Sequence, residues 1–310
     1  MGFHLLQKMK KRTLDHTEVI TLRGCPDKGT SREDVSFSGK TLPLSKGTCL
    51  MGVLNVTPDS FSDGASHMDT GVAVDRAMKM EEEGASIIDV GGESSRPGAS
   101  PVTEDEEMMR VVPVIRELRK RCGAVISVDT RKSEVARIAL SEGADLINDI
   151  TALGGDARMA EIISRAGAGV VLMHMKGTPS DMQDAPVYGD VVGDIMSCLS
   201  KAVGLAERSG IDPKKIFVDP GIGFGKTIEH NLVLLKYLRR FRELGKPVLV
   251  GTSRKSFIGE ITGKDVKERV FGTAASVAVS VMNGADVVRV HDVAQMRDVV
   301  MVMDAIKGMN

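Results

Sequence analysis

Tryptophan is absent from the 310 residues, and other aromatics are scarce, with two Tyr and eight Phe. Such a chain has few platforms on which bases of single-stranded nucleic acid could stack. Neither sign of charge is in excess. The 41 Lys and Arg against 42 Asp and Glu leave a net charge of −1, so no long-range field draws the chain to nucleic acid or to a membrane surface. Cysteine is sparse, and Cys25, Cys49, Cys122 and Cys198 share no metal-ligand spacing. They fit reduced thiols of a cytoplasmic protein better than a disulfide framework. No apolar run approaches a membrane span, and "MGFHLLQKMKKRTLDH" is too weakly apolar for a signal peptide. Gly2 lacks the hydroxyl residue at the sixth position that myristoylation prefers. These features lead us to expect a cytoplasmic protein with no nucleic-acid or membrane partner.

What the chain does have is a repeat. A helical stretch closes on glycine and a short apolar strand follows: "EEEGASIIDVG", "KRCGAVISVD", "SEGADLIND", "RAGAGVVLMH", "RSGIDPKKIFVD", "ELGKPVLVG" and "MNGADVVRV". Glycine supplies the left-handed position that ends a helix, and continuous apolar runs suit parallel strands buried on both faces. With Cys49–Leu54 there are eight strands. Helical patterns lie between them: a Thr103/Glu106 capping box before Met109, Val112, Ile115 and Leu118, then Leu232, Leu235 and Leu238, then Val270, Ala274, Val277 and Val281. The alternation predicts an α/β fold, a single (β/α)8 barrel over residues 35–310. An open doubly wound sheet fits less well, because no G-x-G-x-x-G turn follows the first strand. Residues 1–34 stand outside the repeat as an extension, and "VSFSGKTLPLSKG" from Val35 predicts a hairpin closing the barrel bottom.

In such barrels chemistry sits at the C-terminal strand ends. Those ends read Asn55, Asp89, Asp129, Asn148 with Asp149, His174, Asp219, Gly251 leading to Ser253, and Arg289 with His291. One polar residue there is an ordinary turn former. An array converging on one mouth implies a polar ligand, since each unpaired buried polar group costs roughly 1–3 kcal/mol. "GGESSRPGAS", with Arg96, and "GTSRKSFIG", with Lys255 and Ser256, add anion chemistry. "GIGFGKT" lacks the spacing of a phosphate loop, and its glycines predict close backbone approach to a flat ligand, with Phe224 as a wall. No clustered metal motif is present, but one protein oxygen, such as that of Asn55, suffices for magnesium held mainly by a diphosphate and water.

Taken together, "MGVLNVTPDSFSDG", "DVGGESSRPGA", "SVDTRK", "LINDI", "LMHMKGTP", "FVDPGIGFGKT", "VGTSRKSFIG" and "RVHDV" resemble the dihydropteroate synthase family of the folate pathway. The motifs stand in the family's order and span about Gly39 to Lys307. The resemblance implies a Mg2+-dependent transferase that joins 6-hydroxymethyl-7,8-dihydropterin diphosphate to 4-aminobenzoate. Carried over motif by motif, Asp129, Asn148, Met173, Asp219, Gly223, Lys255 and Arg289 should line the pterin pocket. Asn55 (through Mg2+), Arg96, Arg289 and His291 should hold the diphosphate. Phe61, Ser95, Pro97, Phe224 and Ser256 should take 4-aminobenzoate. Ser95 stands where many relatives carry Thr, which keeps the hydroxyl. Asp63, Arg96, Lys255, Arg289 and His291 are the expected catalytic groups, with Asp63 near the developing pterin cation. The resemblance also implies a homodimer built on outer helices, and sulfonamides competing with 4-aminobenzoate.

Overall fold

The computed structural model describes residues 32–57, 70–94, 101–178, 182–183 and 185–309. Two short antiparallel strands, β1 (Val35–Phe37) and β2 (Lys40–Leu42), form the expected hairpin, turning at Gly39. Eight parallel strands follow: β3 (Cys49–Asn55), β4 (Ile87–Gly91), β5 (Val125–Asp129), β6 (Leu146–Asp149), β7 (Gly169–Met173), β8 (Ile216–Asp219), β9 (Leu249–Gly251) and β10 (Val287–Val290). Their order is β8-β7-β6-β5-β4-β3-β10-β9, and a parallel bridge from Val218 to Val248 closes the ring. The helices are α1 (Thr70–Glu82), α2 (Glu104–Arg121), α3 (Ser133–Ser141), α4 (Met159–Ala166), α5 (Val191–Arg208), α6 (Ile228–Lys236), α7 (Ser256–Thr262), α8 (Val270–Met282) and α9 (Val293–Lys307). This is the predicted barrel. None of the described helices is long and apolar enough to cross a membrane.

Strand alternation separates two cores. Outward residues such as Ile88, Val90, Ile126, Val128, Leu172 and Val218 pack under the helices. Inward residues Met51, Ile87, Val125, Leu146, Val171, Phe217, Leu249 and Val287 fill the lower barrel, and Val35, Phe37, Leu42 and Leu44 of the hairpin region cover them from below. Two residues further along five of the strands, on the same inward face, the chemistry changes. Ile87 gives way to Asp89, Val125 to Ser127 and then Asp129, Leu146 to Asn148, Phe217 to Asp219, and Val287 to Arg289. The apolar plug thus becomes the floor of a polar cup.

The helix patterns depart from the sequence reading at three points. The buried stripe of α2 is Val111, Val114, Ile115 and Leu118, while Met109 is 70% exposed. Thr103 Oγ1 accepts from the Glu106 N–H at 3.2 Å, but the Glu106 carboxylate pairs with Arg110 rather than folding back, so only one arm of the capping box forms. In addition, Leu238 falls just beyond α6, in a 3-10 turn over Leu238–Leu244.

Candidate active site

The polar cup is organised around one arginine. Arg289 donates through Nε to Asp89 Oδ2 at 2.6 Å and through Nη2 to Asp129 Oδ2 at 2.8 Å. Asn148 Nδ2 also donates to Asp89 Oδ2, at 3.1 Å. Register explains the meeting. Asp129 lies beside Asn148 and Gly91, and Asp89 lies one layer lower, beside Ser127. Asp89 Oδ1 and Ser127 Oγ are buried without a partner within the protein. Polar atoms in that position imply a site built to be completed by a polar guest.

Charge is concentrated here, away from water. Burial pushes the Asp129 carboxyl above the ordinary carboxylate range; the Arg289 charge opposes that rise and the Asp89 carboxylate adds to it. Burial likewise lifts Asp219 to about 6, against the Gly221 N–H and the charges of Lys255, Lys226 and Arg289. A guest offering N–H groups and positive character would favour the ionised forms.

Lys255 enters from the loop between β9 and α7. Its Nζ lies 3.9 Å from the centroid of the Phe224 ring, which packs with Met173, Ile150 and Met182. Gly223 has φ +83°, and a Cβ there would stand 3.1 Å from Lys255 Cδ, so glycine leaves the lysine its path. The loop itself is braced. Arg254 sits in the left-handed region at φ 59°. Its N–H donates to Thr273 Oγ1 at 3.1 Å, its Nε donates to Asp292 Oδ2 at 3.1 Å, and its carbonyl accepts from Arg269 Nη1 at 3.0 Å. Such a backbone costs roughly 1–2 kcal/mol and persists where surroundings over-determine it. Ser256 is the first residue of α7, beside Lys255.

His291 follows β10. Its backbone N–H donates to Ser253 Oγ at 3.2 Å, and its Nδ1 lies 3.0 Å from the same oxygen. With Ser253 Oγ already accepting, its hydroxyl proton is free to serve Nδ1, which leaves the imidazole Nε2–H as a donor. Burial, with Arg289 and Arg254 nearby, holds His291 down to about 3. The ring is therefore neutral near pH 7 and serves an anion as an N–H donor rather than as a cation.

Two of the strand-end residues do not join the cup. Asp149 faces away from Asn148 and caps its own loop, accepting from the Thr151 N–H at 2.8 Å and the Leu153 N–H at 2.8 Å. His174 packs against Tyr188 and the Lys226 ammonium. Asn55 is partly buried at the end of β3, in register with Gly91. Phe61, Asp63, Ser95, Arg96 and Pro97 lie outside the described residues. Asp89 received no role in the sequence-based assignment, although its parity with Ile87 places it inside the barrel. Lys226 was likewise passed over, while Ser253, read from the sequence only as a strand-end group, proves to hold His291.

A family model described as "Pterin binding enzyme" matches residues 51–291. A dihydropteroate synthase of Synechocystis is 46% identical over 270 residues, covering 86% of this chain and 93% of the relative. The solved structure of a Xanthomonas albilineans dihydropteroate synthase with 4-aminobenzoic acid superposes with a TM-score of 0.84 at 42% identity, covering 89% of this chain and 99% of that one. A second structure of that organism's enzyme, in complex with 7,8-dihydropteroate, gives 0.81 at 39% identity over 90% of this chain and 100% of its own.

Proposed function

The chain belongs to the pterin-binding enzymes and, within them, to the dihydropteroate synthases, and from that premise we propose how its residues carry out the condensation of 6-hydroxymethyl-7,8-dihydropterin diphosphate with 4-aminobenzoate. The observation that carries the proposal is the switch from apolar plug to polar cup on one inward face, with Asp129, Asn148, Asp219 and Arg289 at its wall and Lys255 over it. A pterin edge carries an exocyclic amine and a ring N–H beside a carbonyl. Ionised Asp219 can accept two such donors, and Lys255 can donate to the carbonyl. Met173 and Phe224 supply the apolar surface the flat ring needs. Arg289, held between Asp89 and Asp129, has a planar guanidinium suited to lie on the pterin face while reaching phosphate.

The diphosphate leaves first. The bond from the pterin methylene carbon to the diphosphate oxygen breaks, its electron pair departs with the diphosphate, and the ring system spreads the resulting positive charge. The arylamine nitrogen then attacks the methylene carbon and loses a proton. The amine is already a nucleophile, so the protein's main contribution is electrostatic. Arg289 and the His291 Nε2–H face the departing anion, Arg96 joins them, and Asp63 meets the cation. Ser256, at the start of α7, takes the 4-aminobenzoate carboxylate. The family motifs assign Phe61, Ser95 and Pro97, with Phe224, to the same substrate.

No group of three or more His, Cys, Asp or Glu that could hold a metal occurs among the described residues. The amide oxygen of Asn55 is a hard donor at the strand end, which suits a magnesium ion whose other ligands are diphosphate oxygens and water. Bound there, Mg2+ would neutralise charge on the leaving group.

The test is diphosphate release from the pterin diphosphate in the presence of 4-aminobenzoate and Mg2+. Release well above the buffer rate, abolished by EDTA and restored by Mg2+, is expected. No release from folded protein would overturn the proposal. In the same assay Lys255→Ala lowers kcat/KM for the pterin substrate by about a hundredfold or more, because the cup loses its carbonyl donor. Wild-type activity in that variant would remove Lys255 from the pocket.

A further inference from the structure

Lys226 is a buried lysine that the condensation does not itself use. It is 3% exposed, and its ammonium has three acceptors: the Phe224 carbonyl at 2.8 Å, the His174 carbonyl at 3.3 Å and His174 Nδ1 at 3.2 Å. Three N–H donors meet three acceptors, so the charged form is fully satisfied. The acceptors lie on two loops, one after β7 and one after β8. These loops touch backbone to backbone. Gly221 has φ +68°, and a Cβ there would stand 1.9 Å from the His174 carbonyl oxygen. Gln183 Nε2 donates to the Gly223 carbonyl at 2.8 Å, and the Tyr188 hydroxyl donates to the Gly225 carbonyl at 2.9 Å. Lys226 is the charged stitch in this seam: its Nζ would stand 3.4 Å from a Cβ on Gly221, whose N–H donates to Asp219 Oδ1 at 2.7 Å.

We propose that Lys226 is a positioning residue for the pterin site: its ammonium clamps the loop after β7 to the loop after β8 and sets a positive charge beside the Asp219 carboxylate. The role rests on Asp219 being a pterin ligand, as above. The groups facing Lys226 are Asp219 on β8, Lys255 on the loop after β9, His174 after β7, Cys198 on α5 and His230 on α6. Burial draws Lys226 down to about 7, and burial with Lys226 nearby holds His174 down to about 3, so the imidazole is neutral and its Nδ1 accepts. Asp219 faces Lys255, Lys226 and Arg289, all of which favour its ionised form.

The test reads the charge on Asp219 without using turnover. In unliganded protein labelled with 13C at aspartate carboxyls, the Asp219 resonance is identified by its loss in Asp219→Asn and titrated. In Lys226→Met its midpoint rises by about half to one pH unit, and in Lys226→Arg it returns towards wild type. The Lys226→Met enzyme also shows a raised KM for the pterin diphosphate that Lys226→Arg rescues. If methionine prevents folding, Lys226→Gln carries the same titration, since it keeps two N–H donors without the charge. An unchanged Asp219 midpoint in a folded uncharged variant overturns the proposal, as does a shift that arginine fails to reverse. A shifted midpoint in a protein without synthase activity would uphold the clamp and contradict the function instead.

Discussion

Replacing Asp219 by asparagine lowers kcat/KM for the pterin diphosphate by about a thousandfold and leaves the barrel folded. The carboxylate offers acceptors to two pterin N–H groups. Asparagine offers one acceptor and turns an NH2 donor towards the second N–H. The lost charge-assisted pair and the stranded donor together cost about 4 kcal/mol. Stability does not follow activity. Burial raises the Asp219 carboxyl from an ordinary 3.8 to about 6, so its contribution is fully present below the lower value and is lost as pH rises through about 6. At pH 7.5 the ionised group is a cost to the empty protein, and its neutral replacement keeps the Gly221 N–H acceptor that Asp219 Oδ1 provides at 2.7 Å. Steady-state kinetics and a calorimetric melt check both halves. The pH dependence checks the same group. Pterin binding weakens by about tenfold per unit below about pH 6 as Asp219 takes up its proton, and this component disappears in Asp219→Asn. A wild-type kcat/KM in the variant would remove Asp219 from the pterin edge.

Arg289→Met shows the opposite pairing of effects, losing stability as well as turnover. Asp89 is fully buried, and Arg289 bonds to it and to Asp129 at once. Without the guanidinium, two neighbouring carboxyls face each other in a largely buried cup. Breaking a buried pair from one side costs about 3–5 kcal/mol. Denaturant unfolding should register that loss, and diphosphate release should fall to background. The double variant Asp89→Asn/Arg289→Met recovers much of the stability, because the stranded charge has gone, and recovers none of the turnover. If Arg289→Met unfolded like wild type, the triad of Asp89, Arg289 and Asp129 would not hold the cup together.

Fold and site differed in how far the sequence revealed them. The barrel was legible because helical stretches close on glycine and short, largely apolar strands follow, two signals that are local and repeat. The cup was legible as a row of strand ends, but not as a set of side chains on one face. "LIND" ends on two polar residues, and only parity with Leu146, a plug residue, separates inward Asn148 from outward Asp149. Asp89 stood in that row but received no role, since its partners Arg289 and Asn148 lie on other strands. The helix stripe beginning at Met109 slipped because a 3.6-residue period tolerates neighbouring phases when Met108, Met109 and Val111 are all apolar. Lys226 and the brace around Arg254 depend on contacts between loops far apart in sequence, such as Lys226 with His174 and Arg254 with Asp292, which no local pattern encodes.

A crystal structure of the protein with the pterin diphosphate bound tests the central claim most directly. The account predicts the pterin edge among Asp129, Asn148, Asp219 and Lys255, above the plug formed by Val125, Leu146 and Phe217, with the diphosphate towards Asn55 and His291. A pterin bound elsewhere, with the cup still closed by Arg289 between Asp89 and Asp129, would contradict it.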